Sequence, residues 1–351
     1  MTAEGSAPPE RPALGRRVAS RRTALSFLLG FALIGLFLSR QDPATLSASW
    51  ALVKGASPVL YVAAVAVYYT AFPVRAARWR ILLRNSGEPA ERIPRVRDLA
   101  EIIYLSWFAN SVVPAKLGDV YRGWLLRRTS GVSWSHGMGT IVAERLLDAI
   151  VLVTLMLAAA VLAYGDVLGD ALGAGAGRCV RDGLHGTDLS CVLLDLLLLG
   201  GLVALLLLVG LLLFARHGPL LARLLPAAAV AVYARFSGAL VLSFGRFGRL
   251  LALSALAWAA EGAAFWFVGL ALGYALPLPL VIFFSLLQAF ITVIPLTPGG
   301  LGFEVLLAGA LALHGLDPAA ALAMTALYRT ISYLSLVVGG AVVYALSAKT
   351  R

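Results

Sequence analysis

The chain alternates long, nearly uninterrupted apolar runs with short clusters that carry arginine. Six runs, roughly residues 24–39, 56–74, 138–164, 191–214, 250–274 and 319–346, reach or approach the length of a spanning helix; a hydrocarbon core about 30 Å thick takes roughly 20 apolar residues per crossing. Two further apolar pieces are broken in the middle. Residues 101–128 carry Pro114 and Gly118 at the break, and residues 279–314 carry Pro295, Pro298, Gly299, Gly300 and Gly302. Proline and glycine interrupt the helical hydrogen-bond ladder, and each half is too short to cross alone. The pattern predicts an all-α polytopic membrane protein with about six spanning helices and two re-entrant helical hairpins. A single transmembrane domain is expected over 24–346, between a basic cytoplasmic tail at 1–23 and a short tail at 347–351.

Composition strengthens this reading. Of the 351 residues, 60% are hydrophobic and 13% charged, against about 25% charged in soluble proteins, so the missing polar surface must be replaced by lipid contact. The net charge of +11 comes from basic residues that flank apolar spans rather than from a nucleic-acid-binding domain. With the N-terminus cytoplasmic, segments 1–23, 75–98, 115–136, 215–249 and the C-terminal tail hold 23 of the 29 basic residues. That bias predicts a multi-pass protein of the cell membrane with both termini cytoplasmic. The first hairpin then enters from the cytoplasmic side and the second from the opposite side.

At a constant offset of 184 residues, Pro114, Leu117, Gly118, Gly131 and Arg145 coincide with Pro298, Leu301, Gly302, Gly315 and Arg329. In each copy a broken hairpin precedes a span that carries an arginine near its start. Opposite entry sides would make the pair an inverted-topology repeat, in which discontinuous helices build a binding site near the midplane. The remaining segments say less. Residues 215–249 hold five arginines and no acid, as expected of an interfacial basic segment on an anionic lipid surface. Cys179 and Cys191, the only cysteines, fall on the predicted outer face, where a disulfide between them is compatible with an oxidising compartment. Two thiols without a ligand cluster predict no metal site.

Ionisable groups inside a bilayer cost at least about 2.5–3.5 kcal/mol at its centre, so they face a polar interior and find partners. Here they are Lys116, Asp119, Arg122, Glu144, Arg145 and Asp148 in the first copy, Glu304 and Arg329 in the second, and Glu261 in the span between. Glu144 and Asp148 lie one helical turn apart and share a face, while Arg145 projects about 100° away from Glu144. These groups are expected to charge a central cavity. Helix N-termini after the two turns, near Gly118 and Gly302, would add partial positive charge, so an anionic lipid headgroup is the natural guest. The competing expectation is that the charges only neutralise one another and hold helices together.

The stretches NSVVPAKLGDVYRGWLL at 110–126, AERLLD at 143–148, PGGLGFE at 298–304 and YRTISY at 328–333 resemble, in that order, the signature segments of the lysylphosphatidylglycerol synthase transmembrane family. This family, also called the flippase-like domain family, includes the membrane half of the multiple peptide resistance factor. The resemblance implies a polytopic helical fold with re-entrant hairpins and a role in moving lipids between leaflets, typically aminoacylated phospholipids or polyprenyl-phosphate-linked glycans. Residue by residue it adds Asn110 to the substrate-binding candidates and marks Pro114, Gly118, Pro298, Gly299, Gly300 and Gly302 as hairpin turns. Lys116 stands where many relatives carry arginine, which keeps the charge and loses a bidentate fork. No synthase domain is expected, so an enzyme that modifies the lipid would be a separate protein.

The expected function is therefore a lipid flippase or translocase, with membrane lipids as partners, no nucleic acid and no cofactor; self-association is left open. Without a GxxxxGK[ST] phosphate loop, ATP hydrolysis by this chain is not expected. Two readings compete. An intramembrane enzyme could use Glu144 or Asp148 as general base on a lipid-linked group, although no nucleophile motif accompanies them. A small-solute transporter would suit the same broken helices.

Overall fold

The computed structural model describes residues 20–114, 116–173, 189–223, 225–291, 297–302 and 304–350. Cys179, Pro295 and most of the N-terminal tail lie outside the described residues, and the expected Cys179–Cys191 pairing with them. Among the described residues the chain is helical, with no strand. Helix α1 (Arg21–Ser39) starts on Ser20, whose hydroxyl accepts the Thr23 N–H at 3.3 Å. Helix α2 (Pro43–Gly55) starts on Asp42, whose carboxylate accepts the Ala44 N–H at 3.1 Å. Proline at the first position of α2 and of α3 (Pro58–Asn85) gives up an N–H that has no helical partner there. There follow α4 (Val96–Val112), α5 (Leu117–Ser130), α6 (Trp134–Gly173), α7 (Leu189–Arg223), α8 (Ala227–Leu242), α9 (Phe247–Ala271), α10 (Leu278–Ile291), α11 (Glu304–Leu313), α12 (Pro318–Arg329) and α13 (Ser335–Leu346). A π-helical turn, Thr330–Leu334, joins α12 to α13.

Among the described residues, five helical stretches are long and apolar enough to cross a membrane: Arg21–Ser39, Pro58–Asn85, Trp134–Ala163, Phe247–Ala271 and Pro318–Leu346. The remaining expected run, 191–214, lies within α7, where the apolar stretch is the shorter Leu198–Phe214. Large apolar side chains such as Leu28, Leu162, Leu206 and Leu346 stand exposed, while Arg75, Arg78, Arg122 and Glu144 are buried. An apolar exterior around a charged interior is the distribution expected of a chain whose solvent is lipid.

Close helix approach follows the small residues. The largest helix–helix contact is between α3 and α9, which bury Ala64, Ala71 and Ala76 on one side and Ala257, Ala260 and Ala264 on the other; without a hydrophobic drive between helices in lipid, backbone proximity supplies the packing energy. At Gly139 on α6, an added Cβ would come within 2.4 Å of the Phe236 carbonyl on α8. The segment expected to lie on the lipid surface, 215–249, thus contains a helix packed against α6. Helix α1 touches the second interruption through Gly30, where a Cβ would sit 2.9 Å from the Leu301 carbonyl.

Candidate functional site

Both interruptions are built from backbone that ordinary residues avoid. In the first, Val113 is extended and Lys116 adopts a left-handed conformation (φ 51°) immediately before α5, a position uncommon for a non-glycine residue. The free N–H of Gly118 is taken by the Asn110 side-chain oxygen at 2.8 Å, and the Ser106 hydroxyl donates to the Gly118 carbonyl at 2.9 Å. A Cβ at Gly118 would stand 2.0 Å from the Ser106 carbonyl, so only glycine lets α4 and α5 close on each other. In the second, Gly299, Gly300 and Gly302 all have positive φ, and a Cβ on Gly299 would strike the Tyr333 ring at 2.6 Å.

Each interruption is fastened to an arginine on the helix that follows it. Arg145 on α6 grips Asp119 at the start of α5 with two bonds of 3.1 and 3.0 Å. Arg329 at the end of α12 pairs with Glu304 at the start of α11 at 2.6 Å and donates to the Gly299 carbonyl at 3.1 Å. Glu304 in turn accepts the Gly302 N–H.

Between the two interruptions lies a cavity of about 470 Å³, within the range of small-ligand sites. Of the expected substrate-binding residues, Asn110, Lys116, Asp119, Arg145, Asp148 and Arg329 line it, as do the turn residues Gly299 and Gly300. Arg122, Glu144 and Glu304 are not among its lining residues. Arg122 is fully buried (0% exposed) and sits behind the wall, joined to Glu144 by two bonds of 3.0 and 2.7 Å and stacked 3.7 Å over the Trp79 ring. The geometry gives this pair the task of holding α5, α6 and α3 together. The competing expectation, mutual neutralisation, fits Glu144, which Arg122 holds, and Asp148, which Arg78 holds; Arg145, 36% exposed, is also paired, with Asp119, but faces the open space.

Two further arginines belong to this interior. Arg78, also 0% exposed, makes bonds of 2.5 and 3.0 Å to Asp148, approaches Glu144 at 3.3 Å and donates to Ser254 at 2.7 Å. Arg75 pairs with Glu261 at 2.6 Å and lies between the rings of Trp107 and Trp258, 5.1 and 4.8 Å from their centroids. The positive-inside count placed both arginines in a cytoplasmic loop at 75–98. They instead belong to α3, which runs on to Asn85. The signal for this is in the sequence: Ala71, Phe72, Arg75, Ala76, Trp79, Leu82 and Leu83 keep a helical spacing with no stop until Ser86-Gly87, and all seven are buried.

Counted together, six interior cations (Arg75, Arg78, Lys116, Arg122, Arg145, Arg329) face five anions (Asp119, Glu144, Asp148, Glu261, Glu304). Among the described residues that line the cavity, Lys116 is the one charged side chain without an ion-pair partner. Part of the lining is uncharged and polar, with Ser285, Gln288, Thr297 and Ser332; among the described residues the Gln288 side-chain oxygen, the Thr297 hydroxyl and the Trp258 indole N–H are fully buried without a hydrogen-bond partner. Beside it the π turn is held by hydroxyls from α3, Tyr61 to Thr330 at 2.6 Å and Tyr69 to Ser335 at 2.7 Å. Among the described residues no group of three or more His, Cys, Asp or Glu is arranged to hold a metal ion.

Residues 23–340 match the family described as the lysylphosphatidylglycerol synthase TM region. A UPF0104 membrane protein of Methanocaldococcus jannaschii is 32% identical over 239 residues, which span 68% of this chain and 93% of that protein. The glycosyltransferase AglD of Haloferax volcanii is 28% identical over 138 residues, 39% of this chain and only a fifth (20%) of that protein's length. With the match extending from α1 through α13, this multi-pass, all-helical chain belongs to the lysylphosphatidylglycerol synthase transmembrane family.

Proposed function

We propose that the chain is a lipid flippase or translocase that carries a phosphate-bearing headgroup between leaflets while its acyl tails stay in hydrocarbon. The reading rests chiefly on one observation: a lysine with no ion-pair partner among the described residues, two carboxylate-paired arginines and two interrupted helices converge on one cavity inside an otherwise apolar helical body. On this reading α4–α5 and α10–α11 are re-entrant hairpins from opposite faces of the cell membrane, both termini are cytoplasmic, and the two halves form an inverted repeat. The near-equal spacing of the paired residues supports the repeat, since Asp119 and Arg145 are 26 positions apart and Glu304 and Arg329 are 25. Helix N-termini at the two turns add donors and partial positive charge where the phosphate would pass. Membrane lipids are the partners, and no cofactor takes part. The likeness of part of the chain to a named glycosyltransferase is in keeping with a lipid-linked substrate.

The enzyme reading is the weaker one, because a general base must be free to take a proton, whereas Asp148 and Glu144 are each gripped by arginine. Reconstituted vesicles carrying fluorescent short-chain phospholipid, followed by dithionite quenching, test the proposal. The wild-type protein should expose inner-leaflet lipid, and Arg145→Ala and Arg329→Ala should slow this by at least about tenfold, the worth of one charge-assisted bond. If both variants, verified as folded, move lipid at the wild-type rate, the cavity does not carry the lipid.

A further inference from the structure

We infer that the cavity takes a headgroup linked through a single phosphodiester, which carries one negative charge, and that it discriminates against a phosphomonoester or a diphosphate, which carry more. This deepens the proposed function and rests on the same cavity. It concerns the phosphate alone, whatever amines or sugars the rest of the headgroup bears. Two observations carry it. The first is the charge balance. Among the described residues that line the cavity, the cations are Arg75, Lys116, Arg145 and Arg329 and the anions are Asp119, Asp148 and Glu261, an excess of one cation. Including Arg78 and Glu304, the ion-pair partners of Asp148 and Arg329, leaves that excess at one. So does including the buried Arg122–Glu144 pair. The undescribed positions of the two interruptions, 115, 292–296 and 303, carry no ionisable side chain and leave the count as it is.

The second observation is where the excess charge sits. Each arginine on the wall is already bonded to a carboxylate: Arg75 to Glu261 at 2.6 Å, Arg145 to Asp119 at 3.0 Å and Arg329 to Glu304 at 2.6 Å. Lys116 has no ion-pair partner among the described residues. The charges that bear on it are those of Arg145 and Asp119, which hold one another. Its side chain is partly exposed and its backbone is set in the left-handed turn before α5, so the one unmatched charge belongs to a single residue at the first interruption. One phosphodiester charge beside it brings the interior to neutrality. A second would meet no free cation. It would stay unpaired in a low-dielectric interior, or draw an arginine away from its carboxylate and leave that carboxylate unpaired instead, and either outcome is costly. A site governed only by the chain's net charge of +11 would rank the guests the other way, with the more highly charged anion the tighter.

The test is binding, read without transport. Purified full-length protein in mild detergent at about pH 8 is titrated by native mass spectrometry with phosphatidylmethanol, phosphatidic acid and diacylglycerol pyrophosphate, and with diacylglycerol as the uncharged reference, all of identical acyl chains. Phosphatidylmethanol is a phosphodiester with one charge. A phosphomonoester loses its second proton at about pH 6, so phosphatidic acid carries a second charge under these conditions, and the pyrophosphate carries at least as many. Phosphatidylmethanol should bind at least about tenfold tighter than either, since a charge left without a partner costs no less than one hydrogen bond to a charged group. Lys116→Gln should bring phosphatidylmethanol down toward diacylglycerol. Asp119→Asn leaves Arg145 only a 3.7 Å approach to Asp148, so, once verified as folded, it should raise phosphatidic acid more than phosphatidylmethanol and narrow the gap. Dimethyl phosphate, the same diester without tails, should fail to displace phosphatidylmethanol at equal concentration; displacement would overturn the assignment to a lipid. Phosphatidic acid or the pyrophosphate binding to the wild-type protein as tightly as phosphatidylmethanol overturns the inference with no variant needed, and so does a gap that Asp119→Asn leaves unchanged. If the expected order holds while the vesicle assay shows no movement, the transport reading falls and this one stands; movement without that order does the reverse.

Discussion

Replacing Arg122 with leucine separates what holds the interior together from what lines the cavity. In the native chain Glu144 receives two bonds from Arg122, at 3.0 and 2.7 Å, and a looser approach from Arg78 at 3.3 Å. Arg78 is already committed to Asp148 and Ser254. Arg122→Leu therefore leaves a fully buried carboxylate with a shared, poorly aligned partner and strips the cation from the Trp79 face. Breaking a buried pair from one side costs about 3–5 kcal/mol. The residual contact to Arg78 offsets part of that, so about 3 kcal/mol is expected, or roughly a 6 °C fall in apparent Tm at about 2 °C per kcal/mol for a chain of this size. The double variant Arg122→Leu, Glu144→Leu removes both charges and leaves Arg78 its stronger partner, so it should lose only about 1 kcal/mol. Detergent-solubilised melting curves of the two singles and the double complete the cycle. The double should be more stable than Arg122→Leu and, since neither residue lines the cavity, should still move lipid. A single-variant loss below about 1 kcal/mol, or a double whose loss equals the sum of the singles, would refute the account of this pair as one buried unit.

Gly299→Ala places a methyl group 2.6 Å from the Tyr333 ring at a φ of +59°; it should cost about 1–3 kcal/mol and displace the carbonyl that Arg329 holds, which vesicle assays would register as slowed lipid movement with Arg329 intact. Tyr69→Phe deletes the hydroxyl bonded to Ser335 beside the π turn and should lower stability by about 1 kcal/mol, measured by melting, with Tyr61→Phe behaving alike through Thr330. At the C-terminal end, Lys349 binds Asp98 at 3.1 Å and also Glu101. Burial pulls its pKa down, but the two carboxylates outweigh that and hold it above the ordinary lysine value. A raised folded-state pKa stabilises fully below the unfolded value near 10.4 and is lost only above it, so the modest cost of Lys349→Ala should be the same at pH 6 and pH 9 in parallel melts.

The spanning helices were legible because burial in lipid needs only length and apolarity: α6, α9 and α12–α13 follow the runs closely, and α3 starts with its run but continues past it to Asn85. The interruptions were legible for a related reason: proline and glycine stand together in an apolar piece where the backbone leaves the helix, and Gly118, Gly299, Gly300 and Gly302 are at or beside those points. Partner assignment was not legible. Helical spacing puts Glu144 and Asp148 on one face, yet nothing in a single sequence says that one turns to Arg122 behind the wall and the other to Arg78. Arg75 and Arg78 were misplaced because a count of basic residues treats arginine as a marker of the cytoplasmic edge, whereas an arginine with a carboxylate waiting on another helix can be carried inside. The neutral wall was invisible for a different reason. Ser285, Gln288 and Thr297 carry no charge to mark them in an apolar sequence, and only the fold brings them to one cavity.

On the proposed reading, the near-neutrality of the interior is what lets a headgroup pass. A strongly basic cavity would hold a phosphate too tightly to release it, since each unpaired cation in a low-dielectric interior adds several kcal/mol of attraction. Here four of the five arginines bind carboxylates through bonds of 2.7 Å or less, and the fifth, Arg145, has Asp119 at 3.0 Å. Their charge is largely spent, and they act as donors already aligned. One excess cation, Lys116, remains to match one phosphate charge. It sits on the strained turn between α4 and α5, next to the partly exposed Arg145–Asp119 pair. Exchange of partners between Asp119 and an arriving phosphate therefore needs no new charge to be buried, only a trade of one anion for another at Arg145. Asp119→Asn tests this directly. It leaves Arg145 only its looser 3.7 Å approach to Asp148 and removes the carboxylate nearest Lys116, so phosphatidylglycerol should bind tighter and yet be moved more slowly. Weaker binding together with faster movement would mean that the carboxylate obstructs the headgroup instead of exchanging with it.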